Sequence, residues 1–109
     1  IAGELIHLSR QLSLAVQPAA AVGPVQAAVD ILRGAKAGND SELKPLFAAS
    51  LHIFALRLID ARRRDEARDP AVESLDLYRD LATKDPETFG PQVTALERLV
   101  ASLRGRMRN

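Results

Sequence analysis

The sequence predicts an all-α chain of about five helices, arranged as two and a half helical-hairpin repeats that stack into an α-solenoid. Three observations support this fold class. Apolar residues recur at helical spacing along nearly the whole chain, and no segment shows the sustained alternation of a β-strand. The chain also aligns with itself, without a gap, at an offset of 46 residues. A fixed period of this length is typical of stacked supersecondary units.

The offset overlays residues 1–63 on residues 47–109 and produces twelve identities, against roughly five expected from composition. The identical pairs are Ala2/Ala48, Leu5/Leu51, Leu12/Leu58, Ala15/Ala61, Ala21/Ala67, Pro24/Pro70, Asp30/Asp76, Arg33/Arg79, Pro45/Pro91, Ala49/Ala95, Ala55/Ala101 and Arg62/Arg108. We therefore expect one domain, residues 1–109, with repeat 1 at about 1–46, repeat 2 at about 47–92 and a C-terminal capping helix at about 93–107.

The first two predicted helices are bounded by prolines. Residues 3–16 carry an apolar stripe and end before Pro18, because proline disfavours the helical conformation of the residue that precedes it. Pro24 is placed at the start of the second helix, since its fixed φ suits a first turn and its missing N–H costs nothing there. That helix is expected to run to Ala37, where Gly38 and the polar residues after it form a turn.

The third predicted helix, residues 45–64, is apolar on more than one side. Phe47, Leu51, Phe54 and Leu58 form one stripe, and a second apolar stripe that includes Ile53 runs beside it. A helix that is apolar nearly all round normally lies between neighbours. We expect this helix to be the central one.

The last two predicted helices also begin at prolines. The fourth starts at Pro70, with Asp69 as its N-cap and Glu73 near its positive end, and it runs to Lys84, before the break at Pro86. The fifth runs from 91 to 106. It carries Glu97 and Arg104 where the third helix carries Leu51 and Leu58, and polar residues on an otherwise apolar face are typical of the capping end of a solenoid.

Composition argues against several classes of function. The net charge is +1 with both signs interspersed, so no concentrated positive field favours nucleic acid or a membrane surface. The chain has no cysteine, and its two histidines, His7 and His52, lack metal-ligand spacing, so we expect no metal, no cofactor and a cytoplasmic location. No nucleophile, phosphate-loop or zinc-protease motif is present. Glu73, Asp76 and Asp80 are interpreted as a solvated face, and enzyme activity is not expected.

Arginines cluster at residues 62–64 and again at 104, 106 and 108. Such clusters could contact a phosphate or an acidic partner. The alternative is a solvated turn with cations near helix C-termini, and we favour it because Asp60, Asp65 and Glu66 offset the first cluster. All four aromatic residues, Phe47, Phe54, Tyr78 and Phe89, lie on apolar stripes and are expected in the core.

Residues 47–91 resemble the long tetratricopeptide repeats that are common in actinobacterial proteins. The resemblance rests on a Leu/Ala-rich first helix, an Arg-rich turn with Glu66-Ala67, a segment Leu77-Tyr78-Arg79, and Asp85-Pro86. It extends over one repeat and is thin before residue 46. It implies close helix approach at the small Ala55 and Ala67.

The resemblance also implies a groove lined by the first helix of each repeat. The matching positions and their neighbours in the 46-residue register are Ile6, His7, Arg10, His52, Ile53, Leu56, Arg98 and Leu99. The Asn pair with which the family grips extended peptides is absent, so an amphipathic helix is a better expected partner than a strand. The alternative is that these side chains meet neighbouring helices within the fold.

The function expected from these features is a protein–protein interaction scaffold that binds a helix or peptide of a partner protein. Two alternatives stay open. One is a self-associating helical bundle, in which the apolar surface makes a homodimer. The other is a regulatory domain of a larger signalling protein or enzyme, suggested by a sequence that starts at Ile1 rather than at Met.

Overall fold

The computed structural model describes the backbone of residues 22–107 and the side chains of residues 22–104. Four α-helices follow one another: α1 (Val22–Gly34), α2 (Lys44–Asp60), α3 (Arg64–Lys84) and α4 (Pro86–Met107), with a short 3₁₀ helix (Ala37–Asn39) between α1 and α2. No strand occurs in this part of the chain. The all-helical prediction is confirmed for these residues, and the predicted helix at 3–16 lies outside them.

Each helix packs chiefly against the next one along the chain. Helix α2 therefore has α1 on one side and α3 on the other, and none of its residues from 44 to 59 is exposed. This confirms the prediction of a central helix. Helices α2 and α3 run antiparallel, because Lys44 at the start of α2 pairs with Asp80 near the end of α3.

The core consists of two apolar clusters. One joins α1 and the 3₁₀ helix to Phe47, Leu51 and Ile53 of α2. The other joins α2, α3 and α4. Phe54 and Leu77 pack against both clusters and so connect them. Ala55 and Ala67 are fully buried in the second cluster, which agrees with the close helix approach expected from the resemblance.

The predicted aromatic core is also found. Phe47 and Tyr78 are buried, and Phe54 and Phe89 pack against the clusters. The rings of Tyr78 and Phe89 have centroids 6.1 Å apart and connect α3 to α4. Burial raises the pKa of Tyr78, the only tyrosine of the chain.

The turn between α2 and α3 ends the central helix earlier than predicted. Arg62 has a left-handed conformation with φ of 64°. The Arg63 N–H donates to the Leu58 carbonyl and the Arg62 N–H donates to the Ile59 carbonyl. These two bonds form a Schellman motif, which satisfies the last carbonyls of α2. The left-handed residue turns the chain, so α2 stops at Asp60 rather than at 64.

Two predicted helix starts are wrong. Pro70 lies inside α3, which begins six residues earlier at Arg64, and Pro91 lies inside α4, which begins at Pro86. Asp69 is therefore not an N-cap, and Glu73 is far from the helix start. A helix tolerates proline at these sites by giving up the hydrogen bond to the residue four positions earlier. Packing of α3 and α4 on the core offsets that loss.

The start of α4 is defined by a different proline. Pro86 is its first residue, and the Asp85 carboxylate accepts a hydrogen bond of 3.2 Å from the Thr88 N–H. This is N-capping by aspartate with proline at the first helical position, an arrangement favoured at helix starts. The predicted break at Pro86 is thus correct, but it separates α3 from α4 without an intervening loop.

Candidate functional site

The predicted docking surface of the first helices is not assembled as expected. Ile53 is 6% exposed and belongs to the cluster that α2 forms with α1. Leu99 packs against the other cluster. Ile53 is thus unavailable to a partner because it contributes to the core, and the two residues do not form one surface. Ile6, His7 and Arg10 lie outside the described residues.

The other members of that surface have different environments. His52 and Leu56 are half-buried on α2, and Arg98 is exposed on α4. Burial lowers the pKa of His52, since the imidazolium form loses hydration there. Its partial exposure and lowered pKa are consistent with an ordinary packed histidine. No cluster of three metal-ligand residues occurs in the part of the chain that the structure describes.

The arginine-rich turn between α2 and α3 borders a cavity of about 730 Å³, lined by residues 59, 60 and 62–66. Its lining carries three basic and three acidic residues. Arg63 Nε lies 2.6 Å from a Glu66 carboxylate oxygen, and this contact lowers the pKa of Glu66. Arg64 donates a 3.3 Å hydrogen bond to Ser102 of α4. The cavity lies within one turn, and its internal ion pair leaves little unbalanced charge for a ligand.

The groove between α1 and α2 shows how this chain accommodates a helix. Helix α3 packs on α2 and meets α1 through side chains: Ser74 donates a 2.7 Å hydrogen bond to the carbonyl of Ala48 on α2, and Glu73 accepts two hydrogen bonds of 2.9 Å from Arg33 on α1. The Arg33 guanidinium also lies 5.5 Å from the centre of the Phe47 ring. Helix α3 is therefore attached to α1 by a bidentate ion pair and to α2 by apolar packing and one buried hydrogen bond.

A second groove of about 320 Å³ runs between α3 and α4. We call it the α3–α4 groove. Four residues of each helix line it: Val72, Leu75, Asp76 and Arg79 from α3, and Glu97, Val100, Ala101 and Arg104 from α4. Among the residues that the structure describes, only these two helices form its walls.

At the 46-residue offset, the α3–α4 groove corresponds to the groove between α1 and α2, beside which α3 lies. Moving back by 46 residues converts its α3 wall into Gln26, Val29, Asp30 and Arg33 of α1, and its α4 wall into Leu51, Phe54, Ala55 and Leu58 of α2. Three of these α2 residues, Leu51, Ala55 and Leu58, are buried, whereas their α4 counterparts Glu97, Ala101 and Arg104 are exposed. The predicted polar face of the last helix is thus one wall of a groove that no further helix of residues 22–107 covers.

The α3–α4 groove has an apolar floor and charged rims. Leu75 and Val100 are buried at its base, and each rim carries one acidic and one basic residue. Arg79 Nη2 lies 3.1 Å from Glu97 Oε2 across the groove, with the two side chains 53% and 51% exposed. A solvent-exposed pair of this kind contributes only about 0–1 kcal/mol, so Arg79 can change partners at little cost.

Sequence reasoning found one wall of this groove and missed the other. Glu97 and Arg104 stood out because leucines stand 46 residues earlier. Arg79 was noted as an identity with Arg33 and as part of the family resemblance, and nothing in the sequence placed it opposite Glu97. The 46-residue offset did point to Arg79, since Arg33 and Arg79 are identical residues at that offset. The offset did not reveal that Arg33 pairs with Glu73, because the two residues meet only in the folded chain.

Comparisons with protein-family models, with curated proteins and with solved structures gave no significant match to this chain. No helix among residues 22–107 is long and apolar enough to cross a lipid bilayer.

Proposed function

We propose that this protein is a helical-repeat module of the tetratricopeptide type, which binds a helical segment of a partner protein in the α3–α4 groove. The observation that carries the proposal is the correspondence of two grooves at the 46-residue offset: α3 packs on α2 and pairs with α1 beside the first groove, and no further helix of residues 22–107 covers the one between α3 and α4. An apolar groove between two helices is a common binding site for an amphipathic helix.

The proposal moves the binding site away from the surface first expected. Ile53 and Leu99 contribute to the core, so the first-helix surface has lost two of its apolar members. The α3–α4 groove keeps Leu75 and Val100 at its base and Ala101 on its wall, where a small side chain allows close helix approach. The function remains the binding of a protein partner through a helix.

A peptide copying residues 64–84 is a suitable probe, because α3 is the helix that contacts both walls of the equivalent groove. We expect a fluorescein-labelled copy to bind the 109-residue chain saturably in fluorescence anisotropy. Ala101→Trp should abolish binding, since its indole fills the groove. Ala27→Trp on the exposed face of α1 is the matched control and should bind as the original chain does. No saturable binding, or binding that Ala101→Trp leaves unchanged, contradicts the proposal.

Light scattering behind size exclusion over a hundredfold range of concentration tests the homodimer alternative. A monomer of 11.8 kDa throughout leaves the groove available to a heterologous partner. A stable dimer that Ala101→Trp dissociates would mean that a second copy occupies the groove.

A further inference from the structure

The α3–α4 groove also indicates the chemistry of its occupant. We propose that it takes an amphipathic helix with the pattern of α3, antiparallel to α4, and that a carboxylate of this helix displaces Glu97 as the ion-pair partner of Arg79. This inference rests on the proposed function and adds the sequence pattern and charge of the partner. It follows from the way in which α3 contacts both walls of the equivalent groove.

Small residues form the first part of that pattern. The face of α3 that packs on α2 carries Ala67, Ala71 and Ser74, all fully buried, followed by Tyr78. Small side chains let two helix backbones approach closely, and the Ser74 hydroxyl then reaches the Ala48 carbonyl at 2.7 Å. On α4 the counterparts of Ala48 and Ala55 are Thr94 and Ala101, which are also small. We therefore expect alanine, serine or glycine on the partner face that meets α4.

A carboxylate in the middle of the helix forms the second part. Arg33 on α1 makes a bidentate pair with Glu73 on α3. Arg79 occupies the same register position but has only the single 3.1 Å contact with Glu97. A bidentate arginine–carboxylate pair is stronger and more directional than a single contact. A partner glutamate placed like Glu73 can therefore replace Glu97 as the acceptor.

Acidic residues in the first turn form the third part. Arg104 stands 46 residues after Leu58. Leu58 lies near the start of α3, since its carbonyl accepts a hydrogen bond from the Arg63 N–H. An antiparallel occupant brings its N-terminal turn to Arg104, where carboxylates are favoured by both the guanidinium and the helix dipole. The first turn of α3 itself carries Asp65 and Glu66, so the peptide of residues 64–84 holds both acidic features.

A charge exchange between protein and peptide tests this inference. Arg79→Glu in the protein should weaken binding of the 64–84 peptide at least about fivefold, because an attractive pair becomes a repulsive one. A peptide with lysine at the position of Glu73 should bind the original protein equally poorly and should recover affinity with the Arg79→Glu protein. Lys84→Glu, the same change of charge at an exposed site outside the groove, is the control and should leave affinity unchanged.

The outcomes separate this inference from the proposed function. If Ala101→Trp abolishes binding but Arg79→Glu and the exchanged peptide have no effect, the groove binds a helix and the charge rule is wrong. If the peptide does not bind saturably, or Ala101→Trp leaves its binding unchanged, both proposals fail. Recovery of affinity only in the exchanged pair supports both. Circular dichroism of every variant verifies that its helix content is unchanged.

Discussion

The Ser74 hydroxyl on α3 donates a hydrogen bond of 2.7 Å to the Ala48 carbonyl oxygen on α2, in a fully buried contact between the two helices. The carbonyl is also a normal acceptor within its own helix, so loss of the hydroxyl leaves no orphaned group on α2. The bond fixes how α3 lies on α2, and the cost of removing it is the net value of one buried hydrogen bond.

Ser74→Ala should therefore lower the free energy of unfolding by about 1 kcal/mol, measured by urea denaturation followed by circular dichroism. Ser50→Ala is the matched control. The Ser50 hydroxyl is also buried within the fold but bonds to Leu46 of its own helix, which adds little tertiary energy. An equal loss of stability in the two variants would show that the bond between helices has no special value.

Leu77 and Ile31 form a matched pair for the apolar contacts, since they are 46 residues apart. Leu77 packs against both core clusters, whereas Ile31 is 46% exposed. We expect Leu77→Ala to cost about 2 kcal/mol and Ile31→Ala less than about 0.5 kcal/mol in the same urea assay. A similar cost at both positions would mean that Ile31 is covered in solution, as in a homodimer, and light scattering would then detect that dimer.

Arg62 holds a left-handed conformation that glycine adopts without steric cost. Arg62→Gly should raise the free energy of unfolding by about 0.5 kcal/mol, the relief of strain less the greater entropy of glycine in the unfolded chain. Asp60→Gly, two residues earlier and still helical, should instead destabilise by about 0.3 kcal/mol. The idea fails if thermal unfolding places Arg62→Gly below the original protein.

His52 should make stability depend on pH in a defined window. Burial lowers the pKa of His52 in the folded state below its ordinary value of 6.5, so the unfolded chain binds more protons between the two values. The stability that neutral His52 contributes to the folded state is fully present above about pH 6.5 and is lost as the pH falls through the folded-state pKa.

Urea unfolding at pH 7.5, 6.5 and 5.5 measures this effect. The original chain should lose stability over this range relative to His52→Gln, which cannot titrate. His7 is present in both proteins and cancels. The pKa values of Glu66 and Asp80 are also lowered, but carboxylates titrate at lower pH, so they act outside this window. Parallel pH curves for the two proteins would rule out a contribution from His52.

The polar residues of α4 should keep the α3–α4 groove from associating with another copy. Glu97→Leu combined with Arg104→Leu restores the residues found at the same positions of α2 and leaves an exposed apolar groove. We expect concentration-dependent association in light scattering, with helicity retained. Glu87→Leu combined with Lys84→Leu, on exposed sites outside the groove, is the control. If the first variant stays monomeric at all concentrations, Glu97 and Arg104 do not prevent association.

The central position of α2 was predictable, because its residues from Phe47 to Leu58 are apolar on two sides and must be covered by two neighbours. The starts of α3 and α4 were not, because Pro70 and Pro91 are stronger local signals than the real starts. Helix α3 begins at Arg64, after the left-handed Arg62. Helix α4 begins at Pro86, after the N-cap Asp85. Proline inside a helix removes a hydrogen bond, and the packing of α3 and α4 on the core, which offsets this loss, is not evident from the sequence.

The sequence by itself determined the helical class, the 46-residue register and the polar character of one face of α4, since these depend on periodicity and residue type alone. Tertiary structure decided which helices lie side by side. It buried Ile53 against α1, paired Arg33 with Glu73 and left Arg79 facing Glu97 across an open groove. These contacts join residues far apart in sequence, and their geometry follows from helix packing, which periodicity does not specify.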